Sequence, residues 1–348
     1  MAQLESIILY CLKQLNKERT VYSIYHLLNG KKSSQTIQDA HLFNLKKFFG
    51  IMDVLTRETF NQRIETLLNQ KLIYKVKDQT FFPTPSGDLF LKNNPLLREL
   101  NGWEFHQLST LFWERLSLLI QVASNFEYHE TNYVPIQKNK DVHIWLKSTL
   151  KDMKVSKNKM ASQIYAELLD CFSENKGLDP SVLVYRLTGY QQIGLTGTQL
   201  AQKLSMSYYD YYLQFVHIIH FMMETLRVNP DRFPVLSFLY NGLIKSNELT
   251  QSSKKTWQLL TKGYSLEHIA QIRQLKLSTI EDHLVEIALN IDRFSIHEYV
   301  DPNLQDEILR SSKSAGSRQL KLIKAMVTRA SYFQIRLVLA KFGDKAWS

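Results

Sequence analysis

Apolar residues recur every three or four positions through most of this chain, and the places where that rhythm stops divide it into segments. Leu4, Ile7, Ile8, Cys11, Leu12 and Leu15 fall on one helical face, and Thr20–Leu28 starts a second helix. "GKKSSQ" at 30–35 interrupts the pattern and supplies serines able to cap the next helix, expected over about Gln38–Phe49 with Gly50 as its left-handed end. "TRETFNQRIETLLNQKL" opens at Thr56 and turns Phe60, Ile64, Leu67 and Leu68 inward. The pattern then changes: "LIYKV" and "TFFPT", on either side of "KDQ", predict a short β-hairpin. Three helices followed by a hairpin make a winged helix, closed by "TPSGDLFL" at 84–91.

Residues 99–250 are helical by the same criterion, with breaks at "NYVPIQKN", "NKGLDP" and "VNPDRFP". Inside them, Leu195–Leu204, a turn at Ser205–Ser207 and a long following helix have a helix-turn-helix rhythm. Tyr208, Tyr209, Tyr211 and Tyr212 cluster where that long helix begins, and read as packing surface more than as a base-stacking block. A second such rhythm lies at 262–289, "KGYSLEHIAQIRQLKLSTIEDHLVEIAL". There Gly263 ends one helix, Ser265 caps the next, Ile269 and Ala270 pack inward, and Ser278 or Thr279 caps a helix carrying Ile280, Leu284 and Ile287. The expected fold is mainly α: a winged-helix domain over 1–98, a helical middle over 99–250 and a C-terminal helix-turn-helix domain with a basic tail over 251–348.

Charge changes the picture more than composition does. The chain has 348 residues, 44% hydrophobic and 22% charged, which suits ordered globular domains. Its net charge of +10 sits at the two ends, with a neutral middle. Basic ends make nucleic acid the first partner to consider, although positive charge also serves solubility alone. Within the last part, 251–309 is net acidic, whereas 310–348 holds nine basic residues against one acidic. Two distant cysteines, Cys11 and Cys171, build neither a disulfide framework nor a four-thiolate zinc site. Apolar runs such as "LSLLIQVA" are too short to span a bilayer, so the expectation is a cytoplasmic, nucleoid-associated protein with no membrane partner.

Residues 25–91 resemble the winged helix that follows the catalytic core of RecQ-family DNA helicases. The match rests on Leu28, Gly30, Phe49-Gly50, Phe60, Leu72-Ile73 and Thr84-x-x-Gly87. "LLTKGYSLEHIAQIRQLKLSTIEDHLVEIA" and the later "SYFQIRLVLAKF" resemble the helix-turn-helix module near the C-termini of some RecQ helicases. The order of the modules is similar to that of the YpbB-like helix-turn-helix proteins of Bacillus-type bacteria. No Gly-x-x-x-x-Gly-Lys-Ser/Thr loop and no Asp-Glu-x-His run occur in these residues, so no triphosphate-driven motor is expected. The resemblance implies a non-enzymatic, cofactor-free DNA-binding accessory of a separate RecQ-type helicase, serving repair or recombination. A winged-helix transcription regulator and a protein-only scaffold are the alternatives.

Candidate contact residues follow from these readings. Gly30, Lys31, Lys32, Ser33 and Ser34 stand where the resemblance implies a helix N-terminus gripping phosphate; the serines read equally as plain caps. Lys46, Lys47, Arg57 and Arg63 are placed to follow the DNA backbone, with Arg63 a base reader if it faces outward. Lys71, Lys75 and Lys77 are expected phosphate contacts on a wing whose apex lacks the aromatic used for strand separation. Arg318, Lys321 and Lys324 stand three apart on the basic tail, with Arg329 and Arg336 beyond; DNA, an acidic partner or solvent would all suit that stripe. Glu281, Asp282 and Glu286 carry the wrong sign for a phosphate field and are read as a surface for docking a protein partner, or as plain structure. His217, His220 and Glu224 share a helix face, but their apolar neighbours mark a buried helix and not a metal site.

Overall fold

The structure is a computed structural model that describes residues 3–153, 155–243, 249–315 and 320–347. Among these residues there are eighteen α-helices and a single two-stranded sheet. The N-terminal part contains α1 (Gln3–Leu15), α2 (Tyr22–Leu28), α3 (Ser34–Leu42), α4 (Arg57–Asn69), β1 (Ile73–Lys77), β2 (Thr80–Pro83) and α5 (Pro85–Asn93). The middle contains α6 (Gly102–Phe105), α7 (Ser109–Glu127), α8 (Lys140–Asp152), α9 (Lys157–Ser173), α10 (Ser181–Val184), α11 (Gly197–Lys203) and α12 (Tyr208–Val228). The last part contains α13 (Gln251–Leu260), α14 (Leu266–Arg273), α15 (Leu277–Asn290), α16 (Pro302–Ala315), α17 (Leu320–Met326) and α18 (Tyr332–Trp347). No helix of the described residues is long and apolar enough to cross a membrane.

Local chemistry explains most boundaries. All six apolar positions expected on α1 are buried. Helix α3 differs from the expected Gln38–Phe49: Ser33 caps it early, accepting from the Thr36 amide at 3.3 Å, and left-handed Asn44 (φ 54°) follows its end. A 3₁₀ turn at Lys46–Phe48 and left-handed Gly50 (φ 70°) complete the connection. Thr56 caps α4 by accepting from the Thr59 amide at 3.1 Å, and Phe60, Ile64 and Leu67 are its buried face, with Leu68 only half-buried.

The wing is closed by a polar latch. Thr84 donates from its hydroxyl to the Lys71 carbonyl at 2.7 Å and accepts from the Gly87 amide at 3.1 Å. Gly87 itself lies so close to the Leu72 carbonyl that a Cβ there would come within 2.2 Å of the oxygen. The Thr-x-x-Gly pattern is therefore a joint between the end of α4, the wing and α5.

The expected three-domain order, 1–98, 99–250 and 251–348, is regrouped in space. One compact unit comprises Met1–Ile7, Gly50–Met52 and Lys92–Lys245; the other comprises Ile8–Phe49, Asp53–Leu91 and Ser246–Ser348. The winged helix and the C-terminal helix-turn-helix thus share one unit. The reason lies on α3, whose residues Thr36–Leu42 are all buried because α15 and α18 pack against it. The unit containing the helical middle is organised on α12, buried without interruption from Phe215 to Met223 and packed on α6, α7, α10 and α11. Its internal helix-turn-helix forms as expected, with Thr196 and Gln199 making a reciprocal capping box and Ser207 capping α12. Tyr211 is fully buried, while Tyr209 and Tyr212 are half-buried.

Candidate nucleic-acid interface

In the C-terminal helix-turn-helix, α14 and α15 are joined by left-handed Gln274. Ser265 caps α14, as its position before the helix suggests; α15, however, begins at Leu277, with Lys276 at the cap position and no side-chain cap from Ser278 or Thr279. Ile269 is buried and Ala270 half-buried. The second helix of such a motif enters a DNA groove only if it presents an exposed face. Here His283–Ala288 are consecutively buried, since α3, α13, α14 and α18 all pack on α15. Helix α15 is a core helix of its unit.

The expected docking carboxylates are corrected by the same packing. Glu286 is 4% exposed. Its carboxylate accepts from the Thr250 amide and hydroxyl and from the Ser253 hydroxyl, the last at 2.6 Å, which braces the cap residue of α13 from behind. Asp282 pairs with Arg336 at 2.5 Å. Glu281 is half-buried, and burial raises its carboxyl pKa against the opposing pull of Arg336. None of the three is a freely presented surface acid: the structure uses Glu286 as an internal cap and Asp282 as an ion-pair partner.

Arg336 also reaches into the predicted phosphate grip at α3. Its guanidinium donates to the Ser34 hydroxyl at 3.1 Å and to Gln38 at 3.3 Å. Ser33 is the α3 cap. Both serines are therefore engaged within the protein, whereas Lys31 and Lys32 are exposed. Lys32 and Ser34 line a polar cavity of about 480 Å³ together with Thr250, Asp282, His283 and Glu286. The carboxylates opposite Lys32 disfavour an anion inside that cavity. A second clamp involves Arg273, which donates to the Ser252 carbonyl at 2.8 Å and hydroxyl at 2.9 Å and lies 3.2 Å from His283. Burial, then Arg273, push His283 down to about 4.

The remaining expected contacts divide between exposed and engaged groups. The Lys47 ammonium lies 5.0 Å from the centre of the Tyr10 ring and 4.9 Å from that of Phe48, and burial lowers its pKa. Lys46 is half-buried. Arg57 is exposed and stacks over Tyr22 at 4.2 Å. Arg63 is half-buried; the exposed positions of α4 are Arg57, Glu58, Gln62, Glu65 and Asn69. On the wing, Lys71, Lys75 and Lys77 are exposed, with Asp78 3.5 Å from Lys75. In the tail, Arg318 lies outside the described residues; Lys321 is exposed, Lys324 donates to the Thr328 carbonyl, and Arg329 pairs with Glu307. The expected stripe is thus partly spent on local bonds.

Two roles went unread in the sequence. Arg336, expected with the basic stripe of the tail, stands alone inside the apolar run "FQIRLVLA", and an isolated charge in such a run signals a buried partner. Lys17 packs on the wing, its ammonium 4.5 Å from the Phe82 ring centre and 5.8 Å from that of Tyr74. No sequence pattern places residue 17 beside residue 82. His217 meets the Glu99 carboxylate and His220 accepts from the Asn101 amide at 3.1 Å, while Glu224 pairs with Arg227 at 2.6 Å.

This arrangement defines a helix-turn-helix protein in which the motif is built into a larger helical unit. Residues 252–339 match the family described as "Helix-turn-helix domain". The chain belongs to the YpbB family: it is 33% identical to Protein YpbB of Bacillus subtilis (strain 168) over 341 residues, covering 96% of each chain. No solved structure matches it.

Proposed function

We propose that this chain is a DNA-binding accessory without a motor of its own, acting beside a separate RecQ-type helicase in repair or recombination. The observation that carries DNA binding is the exposed lysine set of the winged helix, Lys31, Lys32, Lys71, Lys75 and Lys77, in a chain with a helix-turn-helix domain. These ammonium groups suit phosphates, which position a protein on DNA without reading sequence. The exposed positions of α4 hold a single arginine, Arg57, which is stacked on Tyr22, among acids and amides, and this favours an accessory over a sequence-specific regulator. The helicase partnership is supported by the RecQ-type pattern of residues 25–91 and by the absence of a triphosphate-binding loop from these 348 residues.

The test is fluorescence anisotropy with duplex and forked DNA over a salt series. Binding is expected to weaken with salt at a slope of about −0.9 per phosphate contacted. Charge reversal at Lys31, Lys32, Lys75 and Lys77 should abolish most of it, with little difference between unrelated sequences. A flat salt response or no binding would refute the DNA reading. No change in the unwinding rate of a purified RecQ-type helicase on adding the chain would refute the partnership alone.

A further inference from the structure

The wing exposes more than charge. β1 and β2 pair with Tyr74 opposite Phe82 and Lys75 opposite Phe81, but the next pair is Lys77 with Thr80, so Val76 is an extra residue and the strand bulges there. After buried Ile73, four consecutive residues of β1 are exposed, and they alternate apolar and basic: Tyr74, Lys75, Val76, Lys77. Tyr74 is 43% exposed and Val76 41% exposed. Tyr74 and Phe82 meet edge to face, with ring centres 6.2 Å apart, and the Lys17 ammonium is held over the Phe82 ring. A half-exposed aromatic ring braced from one side and flanked by lysines has a chemistry that suits one class of partner. A base can stack on the ring while its phosphates meet the lysines. Successive side chains of a strand point to opposite faces, so Lys75 lies on the other side of β1 from Tyr74, and Lys17 is the cation held on the ring's own face.

We propose that the Tyr74 face of the wing, with Lys17 beside the ring and Lys75 and Lys77 following it along the same strand, is a stacking platform for an unpaired nucleotide of single-stranded DNA, and so directs the protein to places where a duplex opens. This rests on the DNA-binding reading above and adds the structure of DNA preferred.

The test uses the full chain with three labelled probes: a blunt duplex, a fork with thymidine arms and a thymidine oligonucleotide. The wild type should bind the fork more tightly than the blunt duplex. Tyr74→Ala should weaken fork and oligonucleotide binding by roughly tenfold, as loss of one stacked base does, and leave blunt-duplex binding unchanged. Tyr74→Phe keeps the ring and should bind like the wild type. Irradiation with 5-iodouracil in the single-stranded arm should crosslink the peptide bearing Tyr74. Duplex binding without any fork preference, or a fork preference that Tyr74→Ala leaves intact, would overturn the platform and spare the DNA reading. Equal losses on fork and blunt duplex would overturn it too, because they mark a general fold or charge effect. Failure of the wild type to bind any of the three would overturn both.

Discussion

Glu286 shows how far one side chain's role depends on what is folded over it. On a helical wheel it is one of three acids beside a DNA-reading position; in the fold it receives two hydrogen bonds from Thr250, the cap residue of α13, and one from Ser253 in its first turn. Glu286→Ala should therefore destabilise the unit by about 2–4 kcal/mol, since bonds to a buried carboxylate are strong and their donors would be left unpaired. Urea unfolding checks this, and a midpoint equal to the wild type's would contradict the capping role. Its neighbour His283 predicts a pH dependence. Its pKa falls from 6.5 to about 4 on folding, so the folded state favours the neutral ring. The resulting stability is present above about pH 6.5 and is lost as pH falls through the folded value near 4. Thermal midpoints from pH 8 to 4 should drop over the acid part of that range, and His283→Gln should flatten the drop.

Among the elements, the wing and its joint make the sharpest case. A Cβ on Gly87 would drive into the Leu72 carbonyl, which belongs to the backbone and cannot swing aside. Gly87→Ala is expected to cost about 1–3 kcal/mol, the range for overpacking a tight contact, and to reduce DNA affinity by tilting the wing. Hydrogen exchange at the β1 and β2 amides reads the loosening directly; unchanged protection would show that the contact relaxes at no cost. The hairpin, the Thr56 cap and the inward face of α4 were all legible in the residue pattern, because each depends on neighbours a few positions away. The length of α3 was not. Its stopping point depends on Asn44 adopting a left-handed backbone, which competes with an apolar rhythm that continues through Phe48 and Phe49.

At the scale of the whole chain, both ends are needed to complete one unit. Helix α3 buries seven consecutive residues between α2, α15 and α18, so a winged-helix fragment of residues 1–98 would uncover the faces that α15 and α18 cover. That fragment is expected to lack a cooperative thermal transition and to regain one when residues 246–348 are supplied in trans. A fragment that melts cooperatively by itself would contradict the shared core.

The sequence by itself determined most of the helices, the Thr56 and Ser265 caps, the hairpin, the buried faces of α1 and α4 and the basic character of the ends. These follow from periodicity and from hydrogen bonds between residues a few places apart. Only the tertiary structure decided which charges remain available. The bond from Arg336 to Ser34 joins positions 302 residues apart, and no local pattern encodes it. Once α3, α15 and α18 share a core, the carboxylates of the helix-turn-helix serve as cap and ion-pair partner, the α3 serines are engaged, and the exposed lysines of the winged helix carry the remaining positive surface of that module.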